Sequence, residues 1–340
     1  MGEVMRRIHL SFAPHVEVEF TDREFALRKM EEWAEKGMVN VQLVYGPEGC
    51  GKTAWLKQSV ELLRDLGFEV IYVNPIEKEV MMETGVADVK VRFVEMLREA
   101  TESTWVRIAW AVVDMAREIM KAGAKKVAIL ADDVFQAIGL DKAAIYVKGL
   151  LGLIEYPPRT YDVVIAVAAT SEGVSRREIG RHRWADMRPM WNMPREGFRQ
   201  LYEQLPGSKP GFDTIWRLTG GNPAMLSSLY RAGWDAKKVI SDLIMSKNLK
   251  AFIGSLGDKE KQLLTKAIED PDTLMTREGI PLMNRLVELN LVTEIPEWRD
   301  PWYWTGEPPG KDLELGIGRD LAWQTPMHRE AVKRVLVGTI

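Results

Sequence analysis

Leu43-Val44-Tyr45 runs directly into Gly46-Pro47-Glu48-Gly49-Cys50-Gly51-Lys52-Thr53, and no other stretch constrains this chain as much. An apolar run, a glycine-rich turn and an amphipathic segment predict a strand handing over to a helix. Glycines let the backbone wrap around a phosphate with its N–H groups pointing inward. The helix that follows adds the positive end of its dipole. At this spacing Lys52 supplies a point charge for β- and γ-phosphates, and the Thr53 hydroxyl is placed to ligate Mg²⁺. Gly46 through Thr53, with Ala54 behind them, are therefore the candidate contacts to a nucleotide such as ATP or ADP. Cys50 falls on a variable position of the turn and is expected to be a small filler.

The surrounding sequence alternates in the same sense. Strands are expected at Val39–Tyr45, Glu69–Asn74, Lys126–Ala131 and Asp162–Ala168, with helical patterns at Lys52–Leu66, Lys90–Ala122 (as two helices) and Asp141–Ile154. Such alternation predicts an α/β fold with a parallel sheet covered on both faces. The run Val127–Ala131 delivers Asp132-Asp133 at a strand end, where an acid beside a phosphate loop holds magnesium. Asp132 is the candidate Mg²⁺ ligand and Asp133 the candidate base for the attacking water. The competing reading is an acid pair capping a helix. Thr170, ending the next strand, is placed to sense a γ-phosphate. Beyond it Arg176, Arg177, Arg181, Arg183, Arg188, Arg195 and Arg199 crowd together. One of them would serve as an arginine finger, others would meet nucleic-acid phosphates, and any single one is expected to make an ordinary surface ion pair with Glu178, Asp186 or Glu196.

From about Pro194 the strand signal stops. Short helices are expected at Glu196–Gln204, Phe212–Thr219, Ala224–Ala232 and Ala236–Ser246. A third segment reads helix (Asp258–Ile268), helix (Ile280–Asn290), strand (Leu291–Ile295), a long Trp-rich loop, a short strand and a last helix (His328–Leu336), the order of a winged helix. The expected domains are a nucleotide core over 1–193, an all-α lid over 194–248 and a winged helix over 249–340.

Charge bears on what that last domain binds. The whole chain carries 46 Lys and Arg against 49 Asp and Glu, a net −3, and residues 241–340 carry 13 against 16, again −3. Its candidate recognition helix, Pro281–Asn290, offers only Arg285 as a base. DNA affinity comes mostly from neutralised phosphates, so a protein partner or an autoinhibitory contact is expected there in preference to DNA. The loop aromatics Trp298, Trp302, Tyr303 and Trp304 are expected to pack the wing against the ATPase body, with a partner-binding patch as the alternative. A single cysteine excludes an internal disulfide, no apolar run is long enough to span a membrane, and the four histidines show no metal-ligand spacing. With no secretory signal pattern at the start, a cytoplasmic location is expected.

With these motifs in place, the sequence resembles an archaeal P-loop ATPase of the signal-transduction (STAND) group, related to AAA+ ATPases. Phe20-Thr21-Asp22-Arg23-Glu24 is similar to the family's entry motif, which implies that Phe20 and Arg23 lie near the adenine. Leu130-Ala131-Asp132-Asp133-Val134 resembles the hydrophobic-Asp-Asp of its switch ATPases. Ile179-Gly180-Arg181 looks like its Gly-Arg, which implies a catalytic role for Arg181. Leu218-Thr219-Gly220-Gly221-Asn222-Pro223 is similar to the lid motif, which implies that Pro223 packs on the base. Ala322–Arg329 is similar to the end of the winged helix in archaeal members. Asp133 departs from the Glu that many members carry, and the resemblance then implies slow hydrolysis. The reading is a Mg²⁺-dependent switch ATPase; the alternatives are a DNA-associated AAA+-type motor or loader, and a structural nucleotide binder with little turnover.

Overall fold

In this computed structural model, residues 6–98, 102–171 and 178–339 are described, and they fall into two compact units. The first comprises the chain through Ile8, Arg23–Tyr45 and Lys52–Arg188; the second comprises His9–Asp22, Gly46–Gly51 and Pro189–Ile340. Arg176 and Arg177 lie outside the described residues.

The first unit is built on a six-stranded sheet of order β5-β4-β6-β7-β3-β8, with β3 (Val41–Tyr45), β4 (Glu69–Asn74), β5 (Glu79–Glu83), β6 (Lys126–Asp132), β7 (Val163–Thr170) and β8 (Ala185–Pro189). Strands β4, β6, β7 and β3 are parallel; β5 runs antiparallel at one edge. Every residue of β3 and β7 is buried, as near-continuous apolar runs require when helices cover both faces. The helices are α1 (Glu24–Lys36), α2 (Lys52–Asp65), α3 (Ala87–Arg98), α4 (Glu102–Lys121), the short α5 (Val134–Ile138) and α6 (Leu140–Glu155). Trp55 of α2 is fully buried and meets Trp33 of α1 edge to face. This is the expected α/β fold, and the four parallel strands fall where the sequence places them to within two residues.

Four strands escape that reading. No strand is expected before Val39, yet β1 (His9–Ala13) and β2 (Val16–Glu19) form an antiparallel hairpin in the second unit. Strands β5 and β8 were also missed. All of them lie at sheet edges or in a two-stranded ribbon and are largely half-buried or exposed, so no continuous apolar run marks them.

In the second unit, α7 (Arg195–Glu203), α8 (Phe212–Thr219), α9 (Pro223–Arg231), α10 (Ala236–Ser246), α11 (Leu249–Gly254), α12 (Asp258–Glu269), α13 (Ile280–Glu288) and α14 (Pro326–Thr339) accompany a ribbon of β9 (Val292–Glu294) and β10 (Leu321–Trp323). Only α11 was not anticipated. One apolar cluster runs through Phe198, Leu226, Ile240, Leu264, Leu286 and Val332, so the short helices after Pro194 and the C-terminal elements share a core. Trp323 belongs to it, fully buried, with its indole N–H donated to the Ala267 carbonyl at 3.0 Å.

The aromatic loop between β9 and β10 divides in two. Trp304 is buried with Trp191, Ile295 and Leu315, and the Thr305 N–H donates to the Pro189 carbonyl at 2.9 Å. Trp298, Trp302 and Tyr303 remain exposed.

Candidate nucleotide site

Parallel strands in an α/β sheet present their carboxyl ends along one edge, where ligands bind. Here Asn74 ends β4, Asp132 ends β6 and Thr170 ends β7, and the pairing register sets Asp132 opposite Ala169 and Tyr45 opposite Thr170. Asp132 is buried. Its Oδ2 accepts from the Tyr72 hydroxyl at 3.0 Å and from Asn74 Nδ2 at 3.1 Å. Tyr72 and Asn74 stand two apart on β4 and so share a face. Neither was singled out from sequence, although two polar side chains alternating within an apolar strand are a legible signal.

Burial raises the Asp132 pKa above the ordinary carboxylate range, against the pull of the Thr53 hydroxyl, Tyr72, Asn74 and the Lys52 charge. Asp132 Oδ1 is buried with no hydrogen-bond partner among the described residues. A carboxylate oxygen left open beside a hydroxyl fits a hard divalent cation, since Mg²⁺ takes one or two protein oxygens and fills its remaining positions with water and phosphate. The described residues hold no cluster of His, Cys, Asp or Glu that would form an all-protein metal site. Lys52 and Thr170 are both buried. Asp133 caps α5 in the left-handed region (φ 47°), its N–H donated to Ala169 O at 3.1 Å. The two acids therefore differ: one faces Tyr72 and Asn74, the other turns the chain into a helix.

The turn Gly46–Gly51 packs within the second unit. A Cβ on Gly46 would stand 1.8 Å from the Met190 carbonyl oxygen, and one on Gly49, already at φ +72°, would stand 2.2 Å from the Ala224 Cβ. No side chain other than hydrogen fits either place. Cys50 is fully buried with Sγ 3.7 Å from the Met190 carbonyl, as expected of a filler. Pro223 opens α9 behind Asn222, whose side chain caps the helix by accepting from Met225 N at 3.0 Å; proline at the first helical position needs no donor.

The entry motif is strained as well as buried. Asp22 and Arg23 are both left-handed (φ 61° and 68°), Phe20 and Arg23 are buried, and Asp22 lies against the backbone of Gly197. Consecutive non-glycine residues in that region persist only where their surroundings hold them. Arg181, by contrast, is exposed and paired with Glu178 at 3.1 Å. Arg195 and Arg199 lie over the Phe212 ring, and Arg188 donates to Gln42 Oε1 at 2.9 Å.

Fold and site together define a nucleotide-binding ATPase domain of the α/β class. Residues 20–229 match the sequence profile of a family described as an ATPase domain predominantly from Archaea, and the chain belongs to that family. No curated protein matches its sequence significantly. Among solved structures it is similar to Cdc6p from Pyrobaculum aerophilum (14% identity over 98% of this chain and 99% of that one, TM-score 0.39). It is also similar to the ADP form of ORC2 from Aeropyrum pernix (14%, 92% of each chain, TM-score 0.40). AMPPCP-bound DnaA from Aquifex aeolicus is a further likeness (17%, covering 70% and 71%, TM-score 0.37). Likenesses at this level carry no argument about partners. No helix among the described residues is long and apolar enough to cross a membrane.

Proposed function

We infer that this ATPase is a Mg²⁺-dependent molecular switch, in which the nucleotide held by a core over 1–193 sets the arrangement of a lid over 194–248 and a winged helix over 249–340. The observation that carries the site assignment is the buried Asp132 carboxylate, with one oxygen tied to Tyr72 and Asn74 and the other open. In this reading Lys52 meets the β- and γ-phosphates, Thr53 and Asp132 hold Mg²⁺, Asp133 orients water, and Thr170 senses the γ-phosphate. Mg²⁺, when bound, neutralises charge on the phosphate oxygens. Phe20, Arg23 and Pro223 are assigned to the nucleoside. Arg181, exposed on its own chain, suits a finger presented to a second molecule.

The preference for a protein-facing C-terminal domain over DNA is supported by Arg285. This one base of the candidate recognition helix donates to Glu260 at 3.1 Å and Ser255 at 2.9 Å and lies over the Phe252 ring, which leaves α13 without a free cation for phosphate. Lys52→Ala is expected to abolish MgATP binding or turnover; unchanged affinity and turnover would sink the site assignment. Turnover measured with duplex and single-stranded DNA across a salt series tests the other branch, because salt-sensitive stimulation belongs to a DNA-associated ATPase.

A further inference from the structure

A glycine-rich turn that must hold a phosphate is a poor receptor until something fixes it, because glycine loses the most conformational freedom on ordering. In this chain the Glu48 peptide is fixed from both sides. Its N–H donates to Gln324 Oε1 at 2.7 Å, and its carbonyl accepts from Asn222 Nδ2 at 2.9 Å. The Gly49 carbonyl accepts from Ala224 N at 3.2 Å. Asn222 Nδ2 also donates to Asn192 Oδ1 at 2.8 Å, and Asn192 Nδ2 donates to the Gln324 carbonyl at 3.0 Å. Lys247 pairs with the Glu48 carboxylate at 3.1 Å.

The direction of every bond in this network is forced. Met225 N–H can only donate, so Asn222 must turn Oδ1 toward it and Nδ2 toward Glu48; Glu48 N–H can only donate, so Gln324 must present Oε1. Asn192, Asn222 and Gln324 are all buried, and buried amides are tolerated only when satisfied. A phosphate cradle needs N–H groups facing the anion and carbonyls facing away. Here lid donors already engage the Glu48 and Gly49 carbonyls.

We propose that Gln324 and Asn222, bridged by Asn192, are positioning residues of the phosphate loop, and that Gln324 makes nucleotide affinity depend on the segment leading into α14. This rests on Gly46–Thr53 being the phosphate-binding loop. No contact of Gln324 with nucleotide is required: it acts through the Glu48 peptide, before any nucleotide arrives.

The test uses the full chain, with a fluorescent ADP analogue for affinity, steady-state MgATP kinetics and urea unfolding. Gln324→Met keeps the volume and removes the acceptor. It is expected to weaken ADP binding about 5- to 30-fold, the effect of leaving the part-buried Glu48 N–H without its acceptor, with KM rising and kcat nearly unchanged. Asn222→Ser retains a capping oxygen but cannot reach Glu48, and gives the same split if Gln324→Met does not fold. Trp323→Phe removes the neighbouring bond to Ala267 and serves as the control for stability alone, with ADP affinity unchanged. Affinity that falls only in proportion to lost stability, equally in Trp323→Phe and Gln324→Met, overturns the proposal, as does wild-type affinity in Gln324→Met. Lys52→Ala with wild-type ADP affinity overturns the loop assignment itself, a separate failure.

Discussion

The Tyr72 hydroxyl donates to Asp132 Oδ2 at 3.0 Å, both groups buried on the adjacent parallel strands β4 and β6. Burial, together with the Asp132 charge, holds the Tyr72 proton far above its usual range, so tyrosine remains a donor at any workable pH. It supports the ionised form of Asp132, whose pKa burial otherwise raises. Tyr72→Phe removes that support and raises the Asp132 pKa further. The acid limb of MgATP turnover is expected to move to higher pH, and the Mg²⁺ needed for half-maximal turnover to rise. A pH–rate profile with a Mg²⁺ titration measures both.

Asp133 sits at φ 47°, a conformation that asparagine also adopts readily, so Asp133→Asn leaves the backbone undisturbed. If Asp133 orients the attacking water, kcat falls about 10²- to 10⁴-fold while ATP affinity is retained. Single-turnover hydrolysis at saturating MgATP is the measurement. Wild-type turnover in this variant would favour a nucleotide binder without a base at this position.

His328 is buried, with Nδ1 2.8 Å from Thr325 Oγ1. Burial, reinforced by Lys247 and opposed by Glu48, lowers its pKa from 6.5 to about 4. Between those values the unfolded chain binds a proton that the folded chain does not, so this contribution is complete above pH 6.5 and is lost as pH falls toward 4. The loss is on the order of 3 kcal/mol. Urea unfolding of the wild type and His328→Gln at pH 7.5 and 4.5 reads it: the variant should show the smaller pH difference.

Trp304 is buried and donates its indole N–H to the Trp298 carbonyl at 3.1 Å, whereas Trp298 is 66% exposed and its ring lies tilted against Tyr303. Trp304→Ala is expected to cost about 3–5 kcal/mol. Trp298→Ala should cost under about 1 kcal/mol, because only an exposed ring contact is lost. Unfolding midpoints at a shared m-value compare them.

The legible parts of this chain are those in which neighbours in sequence do the work. The glycine-rich turn announces itself because its glycines, Lys52 and Thr53 fall within eight consecutive residues. The helices Phe212–Thr219 and Ala236–Ser246 were placed at their exact ends by punctuation from Gly211, Gly220 and Asp235. The edge strands were not legible, because a half-exposed strand needs no apolar run. The alternation of Tyr72 and Asn74 within an apolar strand was legible, but that both meet Asp132 was not.

Sequence alone determined the class of fold, the glycine-rich turn from strand to helix and the acids that follow an apolar strand, because those depend on periodicity and fixed local spacing. Tertiary structure decided what holds them. Glu48 meets Gln324 across 276 residues of sequence, and Tyr72 meets Asp132 across 60. No local pattern encodes such pairs. They exist because folding buries polar atoms that must then be satisfied, and the partner is whichever donor or acceptor the fold brings within 3 Å.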